Sequence, residues 1–220
     1  MYTIVLVEDE KDLNSLIKAY LEKAGYNVVC FLTGEEAIEN ISIEAHLWIL
    51  DIMLGDDVNG YDVIKAIREH DDNVPVIFTS ARDQELDKIF GLELGSDDYM
   101  TKPYSSKELV LRVNKIIKRV YKDNSQVNII NYDDYVINLD KRTVELNKKN
   151  IKLTTLEFDL LVLLIKNKSK CFSREEILDK VWGSDYFGTD RVVDDLIRRL
   201  RKKLDRLNVE AVYGYGYRLS

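Results

Sequence analysis

At 220 residues the chain is long enough for two domains, and its 45% hydrophobic and 32% charged content is ordinary for a soluble globular protein. The net charge of −7 is uneven: residues 1–120 hold 13 basic and 23 acidic side chains, residues 121–220 hold 19 and 16, so the C-terminal part alone is positive and suited to a polyanion. Two cysteines, Cys30 and Cys171, cannot form a disulfide framework and point to a reducing cytosol, while two histidines, His46 and His70, exclude a histidine-rich metal site or a Ser-His-Asp triad.

No apolar run approaches the length of a membrane span, and Met1–Val7 enters a strand-like run without a basic start or cleavage site, so no signal peptide is expected. Thr3–Val7 is a short β-branched run. Leu13, Leu16, Ile17, Tyr20 and Leu21 then recur at helical spacing up to Gly25. Asn27–Phe31 reads as a second strand, and Thr33 with Glu36 as the capping box of a second helix. Leu47–Leu50 is a third strand ending at Asp51. A Gly- and Asp-rich loop follows, then a helix around Val63–Glu69, a strand over Val74–Thr79 and a helix over Asp83–Leu94. Tyr99–Thr101 is a fifth strand. Ser105 with Glu108 opens a last helix with Leu109, Val113, Ile116, Ile117 and Val120 on one face. Five β-α units with continuous apolar strands predict a doubly wound, flavodoxin-like (βα)5 parallel sheet over residues 1–120, with its ligand site beyond the carboxyl ends of the strands.

Residues 121–126 are polar and read as a linker. Residues 127–220 change style. Short alternating strands run from Val127 to Leu153, with turns near Asp133-Asp134, Asp140-Lys141 and Asn147–Asn150. Three helices follow, the first two capped by Thr154 with Glu157 and by Ser173 with Glu176, the third from Asp190 to Leu204. A hairpin around Tyr213–Tyr217 ends the domain. This predicts an α+β domain.

The strand ends of the first domain carry its chemistry. Glu8 and Asp9 follow strand one, Asp51 ends strand three, Thr79 and Ser80 end strand four, and Lys102 and Pro103 follow strand five. Three carboxylates on one rim repel one another unless a cation joins them, and Mg²⁺ takes such oxygen ligands while leaving positions open for phosphate. An aspartate beside that ion is a phosphoryl acceptor. Lys102 supplies counter-charge and Ser80 a hydrogen bond. Singly, each residue reads more simply as a helix-start acid, a loop acid, a cap or a surface lysine; the joint placement carries the argument.

Val7–Glu10, Asp51–Leu54, Thr79–Arg82 and Asp97–Pro103 resemble, in order and spacing, the motifs of the receiver family. The resemblance implies Asp51 as phosphoacceptor, and Glu8, Asp9, Asp51 and the Met53 backbone carbonyl as Mg²⁺ ligands. It implies Ser80 and Tyr99 as the pair that reports phosphorylation, Lys102 as the phosphate's counter-charge, and a cis Lys102–Pro103 bond. Gly55 stands where the family usually has proline, and Asp56–Asn59 looks one residue longer than usual.

In the second domain Val193, Ile197, Leu200 and Leu204 make the apolar stripe of the third helix, and Arg191, Arg198, Arg199, Arg201, Lys202 and Lys203 fill the rest. A helix of this kind fits the major groove, and a neighbouring hairpin reaches the next minor groove. Leu153–Phe158, Phe172–Glu175, Val181–Gly183, Val193–Leu204 and Gly214–Leu219 resemble the OmpR/PhoB winged helix-turn-helix domain. By that resemblance Arg199 reads bases, while Arg191, Arg198, Arg201 and Trp182 contact the backbone, with Lys202 and Tyr215 beside them. Tyr213 occupies a wing position where many members carry arginine, and Leu196 replaces a common polar residue.

The same family dimerises through its fourth helix, fifth strand and fifth helix, and the matching charges here are Lys88 with Glu108, Asp98 with Arg112 and Asp97 with Arg119. The whole therefore reads as a cytoplasmic, phosphorylation-controlled transcription regulator rather than an enzyme. Its implied partners are a sensor histidine kinase, a promoter direct repeat of duplex DNA, a second copy of the chain and RNA polymerase, with no membrane. Two other readings stand beside it. A phosphatase of the haloacid dehalogenase kind places a second aspartate two residues after the first, where Met53 stands here. A degenerate receiver would not keep the full set of acids, Ser80 and Lys102.

Overall fold

The computed structural model describes every residue except 56, 82–84, 122–127, 184, 185, 187 and 188, and leaves out the side chains of 85, 86, 88 and 89. The chain divides into two compact units, Met1–Lys122 and Asp123–Ser220. Most residues of the expected linker, 121–126, lie outside the described residues.

The first unit alternates strand and helix: β1 (Thr3–Val7), α1 (Lys11–Lys23), β2 (Asn27–Phe31), α2 (Gly34–Glu39), β3 (Leu47–Asp51), α3 (Gly60–His70), β4 (Val76–Ser80), α4 (Glu85–Glu93), β5 (Asp98–Thr101) and α5 (Ser106–Val120). The strands pair in parallel in the order β2-β1-β3-β4-β5. Alternate strand residues feed two cores. Ile4, Leu6, Ile49 and Ile77 meet α1 and α5, while Val5, Val7, Leu50 and Phe78 meet residues of α2 and α3. Strand order reverses between β1 and β3, and ligand sites in such sheets open at that point, beyond the strand ends.

Several expectations change in detail. α1 buries Asn14, Ile17 and Leu21, whereas Leu16 and Tyr20 are exposed. The buried face is turned because the Asn14 amide is needed inside: its Nδ2 donates to the carbonyls of Glu8 (2.9 Å) and Phe31 (3.1 Å). α3 starts at Gly60, three residues early, because Asn59 and Asp62 form a capping box. Ser105 caps α5 through the Lys107 N–H, but the Glu108 carboxylate turns to Arg112, so the expected box there is not closed.

Two glycines shape the loop after β3. Gly55 has φ +57, a backbone conformation that proline cannot adopt. A Cβ on Gly60 would lie 2.2 Å from the Asp51 carbonyl oxygen; the start of α3 rests directly on the end of β3.

At the opposite end of the sheet, His46 packs edge-on against Tyr2 and Tyr121, with ring centroids 5.1 and 5.2 Å away, and its Nδ1 accepts the Thr3 N–H at 3.1 Å. Burial, then the N-terminal ammonium, hold its pKa below the usual 6.5. The folded state thus binds the proton less readily than the unfolded chain. Its contribution is complete above about pH 6.5 and is lost as pH falls through the lowered folded pKa. Between about pH 7.5 and about pH 5 the melting temperature should fall more for the wild type than for His46→Gln. Parallel profiles in a thermal scan would contradict this.

The second unit opens with an antiparallel sheet, β6 (Ile129–Tyr132), β7 (Tyr135–Asn138), β8 (Thr143–Leu146) and β9 (Lys149–Ile151), in sequence order. Then come α6 (Thr155–Lys166), β10 (Cys171–Ser173), α7 (Arg174–Val181), α8 (Arg191–Lys203), β11 (Val209–Val212) and β12 (Gly216–Leu219), the three strands ordered β10-β12-β11. The capping boxes of Thr154–Glu157 and Ser173–Glu176 are both formed. α8 buries Val192, Val193, Leu196, Ile197 and Leu200. Leu196 is fully buried, so it packs the core and does not offer a base contact.

Candidate phosphoryl-acceptor and nucleic-acid sites

Carboxylate oxygens of Glu8, Asp9 and Asp51 lie within 4.8 Å of one another beyond the ends of β1 and β3. Glu8 and Asp51 are 1% and 4% exposed, while Asp9 is exposed. Lys102 closes the group: its Nζ donates to Glu8 Oε1 and Oε2 at 2.9 and 2.8 Å and to Asp51 Oδ2 at 2.6 Å. Its backbone N–H donates to the Ser80 carbonyl at 2.7 Å, and its bond to Pro103 is cis. The second Asp51 oxygen accepts the Met53 N–H at 2.9 Å. Burial pushes the Glu8 pKa up to about 7, against the pull of Lys102. Burial also opposes the Lys102 charge, but its bonds to Asp51 and Glu8 outweigh that and raise its pKa to about 12.

Three hard oxygen donors, two of them sealed from water, fit a small divalent cation such as Mg²⁺. Bound there, the cation would neutralise the carboxylates and a phosphoryl group's negative charge.

Ser80 and Tyr99 are both buried, and the Tyr99 ring lies edge-on to Phe78 at 6.5 Å. The aromatic member of the pair is already inside in this conformation. On the neighbouring face the charges expected to bridge two copies are joined within one chain. Arg112 Nη1 donates to both Asp98 oxygens at 3.0 and 2.8 Å, and Arg112 also holds Glu108. Arg119 donates to Asp97 Oδ1 at 2.7 Å, whose other oxygen accepts the Val76 N–H. Burial raises the Asp98 pKa against the opposing effect of Arg112. The Lys88 side chain lies outside the described residues.

On α8, Arg191, Arg198 and Lys202 face solvent, the Arg198 side chain being 63% exposed. Arg199, the expected base reader, is only 13% exposed, with its Nε 3.3 Å from Asp195, which also pairs with Arg198. The Arg201 guanidinium donates to the Val209 carbonyl and stands 5.6 Å from the Tyr217 ring centre. Lys203 is bound to the buried Glu157 at 2.7 Å. Trp182 is 6% exposed and its indole N–H, sealed from solvent, has no partner among the described residues. The hairpin joining β11 and β12 offers Tyr213, fully exposed, and Tyr215, 49% exposed. Tyr217 donates to Asp194 at 2.8 Å, and Arg174 donates to the same oxygen at 2.7 Å, fixing that hairpin to α8 and α7.

Reading the sequence missed Asn14, Asp195 and the Arg174–Asp194–Tyr217 group. Asn14 had a visible signal, a polar residue three before Ile17 and seven before Leu21 on one helical face; the others depend on contacts between distant segments.

A five-stranded parallel receiver sheet with an acidic pocket, together with a winged-helix unit, defines a response regulator of the DNA-binding kind. Residues 4–114 match the family model described as the response regulator receiver domain, and residues 148–219 that of the transcriptional regulatory protein C terminal. The transcriptional regulatory protein CssR of Bacillus subtilis is 53% identical, covering 99% of this chain and 98% of that protein. The response regulator SaeR of Staphylococcus aureus is 36% identical, covering 100% and 99%. The solved structure of response regulator DrrB, a Thermotoga maritima OmpR/PhoB homolog, covers 100% of this chain and 99% of that one at 31% identity, with a TM-score of 0.54. The chain belongs to the OmpR/PhoB family of two-component response regulators, transcription regulators rather than classical enzymes.

Proposed function

We propose that a sensor histidine kinase, in the presence of Mg²⁺, transfers a phosphoryl group to Asp51, and that the modified cytoplasmic protein pairs through α4, β5 and α5 and binds a direct repeat in promoter DNA through α8. The observation that carries this reading is the Lys102 ammonium shared between Glu8 and Asp51 in a pocket where three carboxylates converge. A carboxylate so placed can act as a nucleophile toward a phosphoryl group, and the negative charge that the group brings meets the Lys102 ammonium beside it.

Coupling to the dimer face follows from electrostatics. Arg112 and Arg119 are held in-chain by Asp98 and Asp97. A second copy that presents the same charges can exchange or share these pairs with little net change in the number of ion pairs, so they align the interface more than they stabilise it. The exchange is reciprocal, as a two-fold axis requires.

On DNA, Arg191, Arg198 and Lys202 are placed to neutralise phosphates; Trp182 reaches the backbone only once its indole N–H, sealed here and without a partner among the described residues, is uncovered. Arg199 would read a base after leaving Asp195. Arg201 is read as a helix anchor that can also face the backbone, with Tyr215 beside it. RNA polymerase is the further partner this reading implies.

Sedimentation and footprinting of the full chain, with and without beryllofluoride and Mg²⁺, test the proposal. A dimer and a protected direct repeat are expected only with the phosphoryl mimic; an unchanged monomer that protects the same DNA equally would count against it. Within this reading, Arg198→Ala lowers the slope of log affinity against log salt by about one, whatever the DNA sequence. An unchanged slope in a salt titration would remove Arg198 from the interface.

A further inference from the structure

One buried hydroxyl beside the acidic pocket has no task in the steps above. Tyr104 stands two residues beyond Lys102, between β5 and α5. Its ring packs on the core cluster containing Leu6, Ile77, Met100 and Leu109. Glu8, Lys102 and Asp51 are all near enough to act on its hydroxyl electrostatically, and the Thr79 hydroxyl lies beside it. Thr79 is 1% exposed and stands in register with Asp51 across β3 and β4. Yet the phenolic oxygen is sealed from solvent, and its contact with Thr79 falls short of normal hydrogen-bond geometry. A sealed hydroxyl left in this condition is uncommon in a folded protein and marks strain or a role in another state.

The other state is set by the neighbouring charges. Lys102 divides its ammonium between Glu8 and Asp51. Glu8, Asp9 and Asp51 would each give one carboxylate oxygen to a divalent cation held there, leaving Lys102 the other Glu8 oxygen. The ammonium has three donors and no acceptor, and with its side chain 21% exposed it is only partly hydrated. With one Glu8 oxygen and a phosphoryl oxygen as acceptors, the third donor would still need one. The Tyr104 oxygen is such an acceptor, on the same loop, and its own proton can turn to Thr79. Burial pushes the Tyr104 pKa up to about 12, so the hydroxyl stays neutral and adds no charge to the pocket.

We propose that Tyr104 is a positioning residue for Lys102: once the carboxylates are taken up by the cation, its oxygen accepts a Lys102 N–H and aims the remaining donors at the phosphoryl group on Asp51. The inference rests on Asp51 being the phosphoacceptor.

The test is Tyr104→Phe in the full chain, which removes one oxygen and keeps the ring. Calorimetric titration with beryllofluoride in Mg²⁺ is expected to show binding weakened roughly tenfold, the size of one charge-assisted hydrogen bond. Without Mg²⁺ the variant should melt no lower than the wild type, because a sealed, unsatisfied hydroxyl has been removed. In a Lys102→Met background the same change should have no effect on beryllofluoride affinity, which a purely structural role would not predict. Equal binding by wild type and Tyr104→Phe overturns the inference alone, as does a lowered melting temperature that accounts for the weaker binding. A wild type that binds no beryllofluoride overturns the reading of Asp51 and the inference with it.

Discussion

Asp51→Asn will take up no phosphoryl group from acetyl phosphate and Mg²⁺, and mass spectrometry will find the variant unmodified where the wild type carries an adduct at Asp51. The amide keeps the size of the side chain and an oxygen for the Met53 N–H, which Asp51 Oδ1 accepts now at 2.9 Å. It removes the nucleophilic charge and one of the three carboxylates that lie within 4.8 Å of one another. Mg²⁺ affinity should therefore fall on the order of tenfold or more, while the fold persists, because Lys102 still holds both Glu8 oxygens. Binding to DNA should remain at the unphosphorylated level and stop responding to acetyl phosphate. An adduct of unchanged yield on the variant would place the acceptor elsewhere.

Lys102→Met is expected to destabilise the protein by about 3 kcal/mol without Mg²⁺, because it strands buried carboxylates that shared one cation. Glu8 and Asp51 are 1% and 4% exposed, too buried for water to replace the ammonium. The loss is held toward the low end of that range because Glu8, with a pKa pushed up to about 7 by burial, can take up a proton. Added Mg²⁺ should restore most of the loss, and should stabilise the variant more than the wild type, since no ammonium competes for the same oxygens. Denaturant melts at several Mg²⁺ concentrations measure both effects. A variant as stable as the wild type in chelator would mean that Lys102 does not hold the carboxylates in solution.

Sequence order alone determined the class of fold and the chemistry of its pocket. Strand runs of the right length, capping residues such as Thr154 and Ser173, and acids, hydroxyl and lysine placed at strand ends are local signals. In a parallel sheet, strand ends necessarily meet at one rim. That is why the sequence already groups Glu8, Asp9, Asp51, Ser80 and Lys102 at one rim. Contacts set by packing were not legible. The buried face of α1 includes Asn14 because the carbonyl of Glu8 after β1 and that of Phe31 at the end of β2 need its amide. Leu196 is interior because α8 buries a wider face than the stripe of Val193, Ile197, Leu200 and Leu204 suggested. Arg112 and Arg119 close on acids of their own chain because β5 and α5 lie side by side. The Tyr104 hydroxyl became notable only once its surroundings proved sealed and charged. Periodicity and motif spacing report what a residue does along its own element; partners across elements are chosen by distance, burial and competition for hydrogen bonds, which exist only after the chain has folded.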